Sequence, residues 1–135
     1  MAGKCRSHCP ISFALEIFGD RWTLLVLRDL LFRRKNRYKE FLASEEGIAT
    51  NVLAERLRRL GKEGLVTKSR PLGGGQQFVY RPTAKALDLL PVLLEISLWS
   101  AKHDPLTAAP PALVQRIRKN PRAFIREIRK QFDSL

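Results

Sequence analysis

Residues 50–81 constrain the fold more than any other part of the sequence. Residues 50–62 predict an amphipathic helix whose narrow apolar stripe is formed by Leu53, Leu57 and Leu60. The pattern then changes, and residues 65–70 and 78–81 predict two strands joined by a glycine-rich turn at 71–77. A helix followed directly by a β-hairpin indicates a mainly helical α+β fold with one small antiparallel sheet.

The other predicted elements are helices. Apolar residues at helical spacing predict helices at 10–18, 21–32 and 38–43, and Asp20 and Thr50 are candidate N-caps. Thr83 is expected to cap a long helix that reaches about residue 103, and Pro91 is expected either to kink this helix or to sit at an adjusted turn. A basic helical tail at 112–132 is expected to break near Asn120 and Pro121.

This order of elements suggests three regions. They are a flexible arm at residues 1–8, a folded domain at 9–107 and a basic helical extension at 108–135. The extension is expected to pack on a dimer partner through its apolar residues Leu113, Ile117, Phe124, Ile125 and Ile128. The alternative is that its cations contact DNA directly.

Composition narrows the class of partner. The chain has 135 residues, about the size of one domain, and a formal net charge of +12. So large an excess predicts a polyanion, with nucleic acid ahead of an anionic membrane surface. The sequence has no apolar run long enough to span a membrane and no apolar leader at its start, so we expect a cytoplasmic protein without a membrane partner.

The sequence offers little for catalysis. It has two histidines, no glycine-rich loop between a strand and a helix, and no carboxylate pair beside a nucleophile. We therefore predict no enzymatic activity, no cofactor and no metal site.

Two helices joined by a short turn and followed by a hairpin are typical of a winged helix-turn-helix, which binds double-stranded DNA. Thr50, Asn51 and Arg58 are the candidates for base contacts, because Asn can bind adenine and Arg can bind guanine in the major groove. The alternative is that Thr50 only caps the helix and the arginines form a solvated face. Glu55 is expected to pair with Arg59 one turn on, and the alternative is that it accepts a hydrogen bond from cytosine. The candidates for phosphate contacts are Tyr38, Lys39, Arg59, Lys68, Arg70, Gln76 and Gln77.

Several segments match one family pattern in order and spacing. They are CPI at 9–11, GDRWTLLVLRDL at 19–30, RYKEF at 37–41, GIA at 47–49, NVLAERL at 51–57 and GLV at 64–66, together with Leu60, Tyr80, Thr83, Leu90, Pro91 and Trp99. Over about residues 9–103 the sequence thereby resembles the HxlR-type winged helix-turn-helix transcriptional regulators of bacteria. Pro82, Ala86 and the turn at 73–77 depart from the family pattern.

The resemblance implies a homodimer that binds an inverted repeat in operator DNA, in the bacterial nucleoid, and regulates nearby genes, with repression as the expected sign. The expected dimer contacts are Ile11, Leu15, Phe18, Leu90, Leu94 and Trp99. The apolar run at 89–94 also favours a dimer, because a helix that is apolar all round must be buried on all sides. The alternative is a non-specific nucleic-acid-binding protein, associated with the nucleoid or with RNA, that relies on charge alone.

Two cysteines precede the first predicted helix. Cys9 lies at its N-terminus beside Arg6 and His8, where helix dipole and cations favour a reactive thiolate. The resemblance implies that such a cysteine senses oxidants or electrophiles in some members, with Cys5 as a resolving partner here. The alternative is a small structural cysteine with no sensing role.

Overall fold

The computed structural model describes residues 6–75 and 77–133. They belong to two compact units, one within Met1–Ala86 and the other within Leu87–Leu135. The elements, in chain order, are α1 Pro10–Phe18, α2 Thr23–Leu31, α3 Tyr38–Leu42, α4 Thr50–Lys62, β1 Val66–Ser69, β2 Val79–Pro82, α5 Ala84–Leu87, α6 Leu90–His103, α7 Pro111–Lys119 and α8 Pro121–Asp133. The predicted mainly helical fold with one small hairpin is confirmed.

The core of the first unit is built from α2, α4 and the sheet. The predicted stripe of α4 is buried, as are Leu27, Leu30 and Leu31 of α2. Phe41 is buried too, and its ring meets that of Tyr80 edge-on at 6.1 Å between centroids. The strands pair antiparallel, with Val66 opposite Pro82 and Ser69 opposite Val79. The backbone N–H of Tyr80 also donates to the carbonyl of Asn36 at 2.8 Å, so the chain before α3 is fixed to the sheet.

A glycine makes the sharp transition from α4 to β1 possible. Gly64 has a φ of +76°, a left-handed conformation that costs other residues steric strain. The backbone N–H of Leu65 then donates to the carbonyl of Leu60 at 2.8 Å, which closes the end of the helix. The hairpin therefore leaves α4 at a fixed angle, and a wing follows directly on the recognition helix.

The expected long helix after Thr83 is two helices. Thr83 does cap, because its Oγ1 accepts from the backbone N–H of Ala86 at 3.3 Å. However, α5 ends at Leu87 and α6 begins at Leu90. The prediction of one long helix was wrong because Pro91 has no N–H and its ring would clash with the carbonyl four residues earlier, at Leu87. Pro91 instead lies in the first turn of α6, where that N–H is not needed.

The second unit consists of α6, α7 and α8. Both α7 and α8 contact α6, and they contact each other. The expected break occurs at Asn120, whose side-chain oxygen accepts from the N–H of Ala123 at 3.1 Å at the start of α8. Ile117 and Ile128 are buried. These two of the five residues expected to pack on a dimer partner are therefore covered within the chain. The other three, Leu113, Phe124 and Ile125, are half-buried.

Candidate nucleic-acid interface

The helix-turn-helix consists of α3, the turn at residues 43–49 and α4. The hydroxyl of Tyr38 donates to the carbonyl of Thr50 at 2.9 Å and fixes the first turn of α3 to the first turn of α4. Thr50 is the first residue of α4, and its N-cap is Ala49, which forms no side-chain cap bond. The prediction that Thr50 is the N-cap was wrong by one residue, so its side chain is exposed on the helix surface.

One face of α4 is exposed along its whole length. Thr50, Asn51, Ala54, Arg58 and Gly61 lie on it, opposite the buried leucines. The small residues Ala54 and Gly61 allow another surface to approach the backbone closely. The space beside Gly61 is open, because a Cβ placed there would meet no atom within 4 Å. The side chain of Arg58 is 62% exposed. This face has the shape and the donors that a recognition helix needs in a major groove.

Glu55 holds the side chain of Arg58. Its carboxylate accepts from Arg58 at 2.8 Å and from Arg56 at 2.5 Å. The expected pairing of Glu55 with Arg59 was wrong. Slight desolvation raises the pKa of Glu55, but these two hydrogen bonds outweigh it and keep the pKa below its usual range. The carboxylate is therefore charged at neutral pH and orients Arg58 along the exposed face.

Asp20 anchors α4 to α2 and was predicted only as a cap. Its carboxylate accepts from the backbone N–H of Trp22 at 2.9 Å and of Thr23 at 3.1 Å, from the Thr23 hydroxyl at 2.5 Å and from Arg56 Nε at 2.8 Å. Partial burial raises the pKa of Asp20, but the hydrogen bonds from Thr23 and Arg56 and from the backbone hold it far below its usual range. No sequence signal pairs Asp20 with Arg56, because the two residues are 36 positions apart.

Arg59 also turns toward this anchor. Its side chain is 25% exposed, donates to the carbonyl of Glu16 at 3.5 Å and lies 4.0 Å from Asp20. The structure therefore does not bring Arg59 together with the other candidate phosphate contacts.

A second charged cluster fixes the turn. Asp29 is 2% exposed and is surrounded by Arg28, Arg33 and Lys35, at 2.9, 3.3 and 3.5 Å. Arg28 also reaches Glu46 at 3.3 Å, while Arg33 donates two hydrogen bonds to Glu45. The Arg33 guanidinium lowers the pKa of Glu45 to about 2. The cations Arg28, Arg33 and Lys35 thus stabilise the domain.

The wing carries two cations stacked on one ring. Lys68 Nζ lies 4.3 Å and the Arg70 guanidinium 4.7 Å from the centroid of the Phe78 ring. Sequence reasoning missed Phe78, although an aromatic residue opposite two cations in a hairpin was the available signal. Gln77 is exposed at the base of the turn, and Gln76 lies outside the described residues.

Five of the ten candidate contacts line two open concavities that share Tyr38 and Tyr80. One, of about 480 Å³, lies between α4 and the wing and is lined by Arg58 and Lys68. The other, of about 310 Å³, is lined by Lys39, Gln77 and Phe78. The structure thus brings cations of α3, α4 and the wing to one surface, while Thr50 and Asn51 lie at the N-terminal end of α4. We call this surface the α4–wing surface.

The candidate dimer contacts fall into two groups. Ile11, Leu15 and Trp99 are 72, 57 and 67% exposed, and Phe18 is half-buried. Leu90 and Leu94 are buried within the chain, so they are not available to a partner. Val92, in the apolar run at 89–94, is exposed, and so are Phe13 and Ile96, which sequence reasoning missed. All nine residues of α1 are described, and none is buried.

Cys9 is a free, exposed thiol at the N-cap of α1, and its carbonyl accepts from the N–H of Phe13 at 2.9 Å. Cys5 lies outside the described residues.

Within residues 6–75 and 77–133, no three His, Cys, Asp or Glu side chains are placed to hold a metal ion. Over the same residues, the model has no helix of the length and apolarity needed to cross a membrane.

The fold and the α4–wing surface define a winged helix-turn-helix protein, the architecture of many DNA-binding transcriptional regulators. The model of the HxlR-like helix-turn-helix family matches residues 17–107, and the chain belongs to that family. The resemblance inferred from the sequence is confirmed.

Individual relatives agree with this assignment. An HTH-type transcriptional regulator of Mycobacterium bovis is 34% identical over 98 residues, 73% of this chain. The chain spans only 61% of the length of that relative. The Bacillus subtilis HTH-type regulator YvaP is 33% identical over 95 residues, which cover 70% of this chain and 87% of YvaP.

Two solved structures share the fold. PA1607, described as a candidate transcription factor, superposes with a TM-score of 0.69 at 34% identity, covering 78% of this chain and 73% of PA1607. The quinone-bound transcriptional regulator YodB of Bacillus subtilis superposes with a TM-score of 0.57 at 27% identity, covering 70% of this chain and 99% of YodB.

Proposed function

We propose that this protein is a sequence-specific, double-stranded DNA-binding transcriptional regulator that acts as a homodimer on an inverted-repeat operator. The observation that carries the proposal is the α4–wing surface, where one exposed helix face and a basic hairpin meet. Residues 9–107 would form the regulator domain, preceded by an arm at 1–8 and followed by an extension at 108–135. Occupancy of promoter DNA would repress transcription.

Base selection is assigned to the exposed face of α4. Asn51 and Arg58 carry the side chains that form bidentate hydrogen bonds to adenine and guanine, and Thr50 can donate or accept beside them. Glu55 accepts a hydrogen bond from Arg58 and so orients its guanidinium before DNA is bound, which lowers the entropy cost of binding. Arg58 is therefore the residue on which specificity depends most.

Phosphate contacts are assigned to side chains around α4. Lys39, Lys68, Arg70 and the amide of Gln77 are exposed on α3 and the wing. Such contacts set register and supply most of the affinity, but they carry no sequence information. We leave Arg59 out of this set because it lies against Asp20 and the carbonyl of Glu16.

The homodimer follows from exposed apolar side chains. On α1, Ile11, Phe13 and Leu15 are each more than half exposed, although the helix buries none of its residues. On α6, Ile96 and Trp99 are exposed as well. Large apolar side chains left uncovered on a helix favour a protein partner, and a second copy of the chain is the partner that a symmetric interface supplies.

The test is selection of duplexes from a random-sequence library by the purified, reduced protein at about 0.15 M salt. We expect an inverted repeat whose half-sites are centred about 34 Å apart, or a multiple of that distance. Enrichment without a shared motif would support the alternative, a non-specific nucleic-acid-binding protein.

A second function, thiol sensing, is favoured by one observation. Cys9 is exposed at a helix N-terminus, and the fold is shared with a regulator whose structure was solved with quinone bound. We propose that oxidants or electrophiles modify Cys9 and change DNA affinity. The test compares DNA binding before and after quinone or diamide treatment.

A further inference from the structure

The C-terminal unit carries an open groove that the proposed function does not use. It lies between α7 and α8 and has a volume of about 520 Å³. Four of the side chains that line it are the cations Arg116, Lys119, Arg126 and Lys130, and we call it the C-terminal groove. The family match ends at residue 107, so the groove lies outside the part of the chain that the family model describes.

The charge in this groove is largely uncompensated. Arg116 is paired with Glu127, and its guanidinium also lies over the Phe124 ring at 5.2 Å from the centroid. For Lys119, Arg126 and Lys130, which are exposed, no carboxylate of the described residues lies within the 4.0 Å of an ion pair. Three unpaired cations in one concavity favour an anionic ligand with several charges.

The two helices hold these cations at fixed positions. Arg126 and Lys130 are four residues apart on α8, so they lie on one face about 6 Å apart along the axis. Lys119 reaches the groove from the end of α7, and Asn120 caps α8 between them. The resulting row of cations suits an extended polyanion better than a single small anion.

The apolar residues of α7 and α8 argue against a membrane as this polyanion. A helix that lies in a membrane interface inserts an exposed apolar face below the headgroups. Here Ile117 and Ile128 are buried, and every other large hydrophobic side chain described from 111 to 133 is half-buried rather than exposed. The extension therefore presents charge to its surroundings without an apolar anchor.

We propose that the C-terminal groove binds the sugar–phosphate backbone of double-stranded DNA, as a contact additional to the α4–wing surface and independent of sequence. The inference rests on the proposed function for bringing the chain to DNA. It predicts that the extension raises affinity for all duplexes equally and leaves the ratio between operator and other DNA unchanged.

The chain offers a matched pair of variants for the test. Arg126→Gln/Lys130→Gln removes two cations from the groove, whereas Arg118→Gln/Arg122→Gln removes two exposed cations of the same helices that do not line it. All four side chains are exposed, so both variants should fold, and circular dichroism and thermal unfolding check this. The probe is a labelled 30-base-pair duplex of mixed sequence, and the measurement is the slope of log affinity against log salt for the full chain.

We expect the groove variant to reduce the magnitude of the slope by about 1.8, since each phosphate contact contributes about 0.9. The control variant should change the slope by less than half of that. Equal changes in the two variants, or no change in either, would overturn the proposal. So would binding of the wild type to vesicles rich in anionic phospholipid that is lost in the groove variant while the DNA slope stays unchanged.

The mixed-sequence probe separates this proposal from the proposed function. If duplex selection yields no operator but the groove variant still flattens the slope, the groove proposal stands and sequence-specific regulation fails. If an operator is found and the slope does not respond, only the groove proposal fails.

Discussion

Asp20→Asn tests how the recognition helix is fixed to the rest of its domain. The Asp20 carboxylate is 23% exposed and accepts four hydrogen bonds, one of them from Arg56 of α4. Asparagine has one acceptor oxygen and carries no charge, so it cannot replace the charge-assisted bond and the cap together. Losing the bond to Arg56 costs about 1.5–3 kcal/mol, and a weakened cap adds to this about 0.5 kcal/mol.

We therefore expect the free energy of unfolding to fall by about 2–3.5 kcal/mol at pH 7, a decrease of roughly 7–12 °C in Tm for a chain of this length. The assay is urea unfolding followed by tryptophan fluorescence. Trp22 lies next to the substituted position, because its backbone N–H donates to Asp20. Protein concentration is held equal in all samples, because a dimer makes Tm depend on concentration. Glu16→Gln, on exposed α1, is the control and should change stability by about 0.5 kcal/mol or less.

The effect should also depend on pH in a defined direction. Because the pKa of Asp20 is lower in the folded chain than its ordinary value, its contribution is fully present above the ordinary pKa of aspartate. That contribution is lost as the pH falls from about 4 toward the folded pKa. The difference between wild type and Asp20→Asn should be constant from pH 7 to 5 and shrink below pH 4. A difference that is small at pH 7, or that does not change with acid, would refute the role given to the Asp20–Arg56 pair.

Three further predictions concern the wing, the dimer and the thiol. Lys68→Ala should weaken binding to every duplex by the same factor and reduce the salt slope by about 0.9; a loss confined to the operator would contradict a phosphate contact. Leu15→Glu should shift the protein from dimer to monomer in sedimentation velocity, whereas Glu16→Lys should not, and a wild type that sediments as a monomer would remove the basis for the interface. Cys9→Ser should abolish any change in DNA affinity caused by diamide or quinone, and a response that persists in this variant would exclude Cys9 as the sensor.

The sequence predicted the parts of the fold that local patterns control. The leucine stripe of α4, the hairpin and the break at Asn120 follow from periodicity and from proline and glycine positions. The break between α5 and α6 was missed because a proline after a helical segment was interpreted as a kink or an adjusted turn within one helix. Its clash with the carbonyl of Leu87 ends the helix instead.

The candidate site was predictable in its residue types but not in its internal pairing. Glu55 and Arg59 have the spacing of a helix ion pair, yet Glu55 pairs with Arg56 and Arg58. Arg59 turns instead toward Asp20. Spacing along the sequence could not predict this contact, because it is a tertiary contact between residues far apart in the chain. In the same way, the pattern of apolar residues could not show that Leu90 and Leu94 are buried within one chain while Trp99 remains exposed.

The most direct test of base selection by α4 is the affinity of Arg58→Ala for the selected operator and for a scrambled duplex of equal length. Base selection predicts a loss of about 1–3 kcal/mol on the operator, or roughly 5-fold to 150-fold in Kd, with a relaxed preference at one position of each half-site. On the scrambled duplex the loss should be much smaller. Equal losses on the two duplexes would show that Arg58 contributes charge alone, and would contradict the assignment of α4 as the element that selects the sequence.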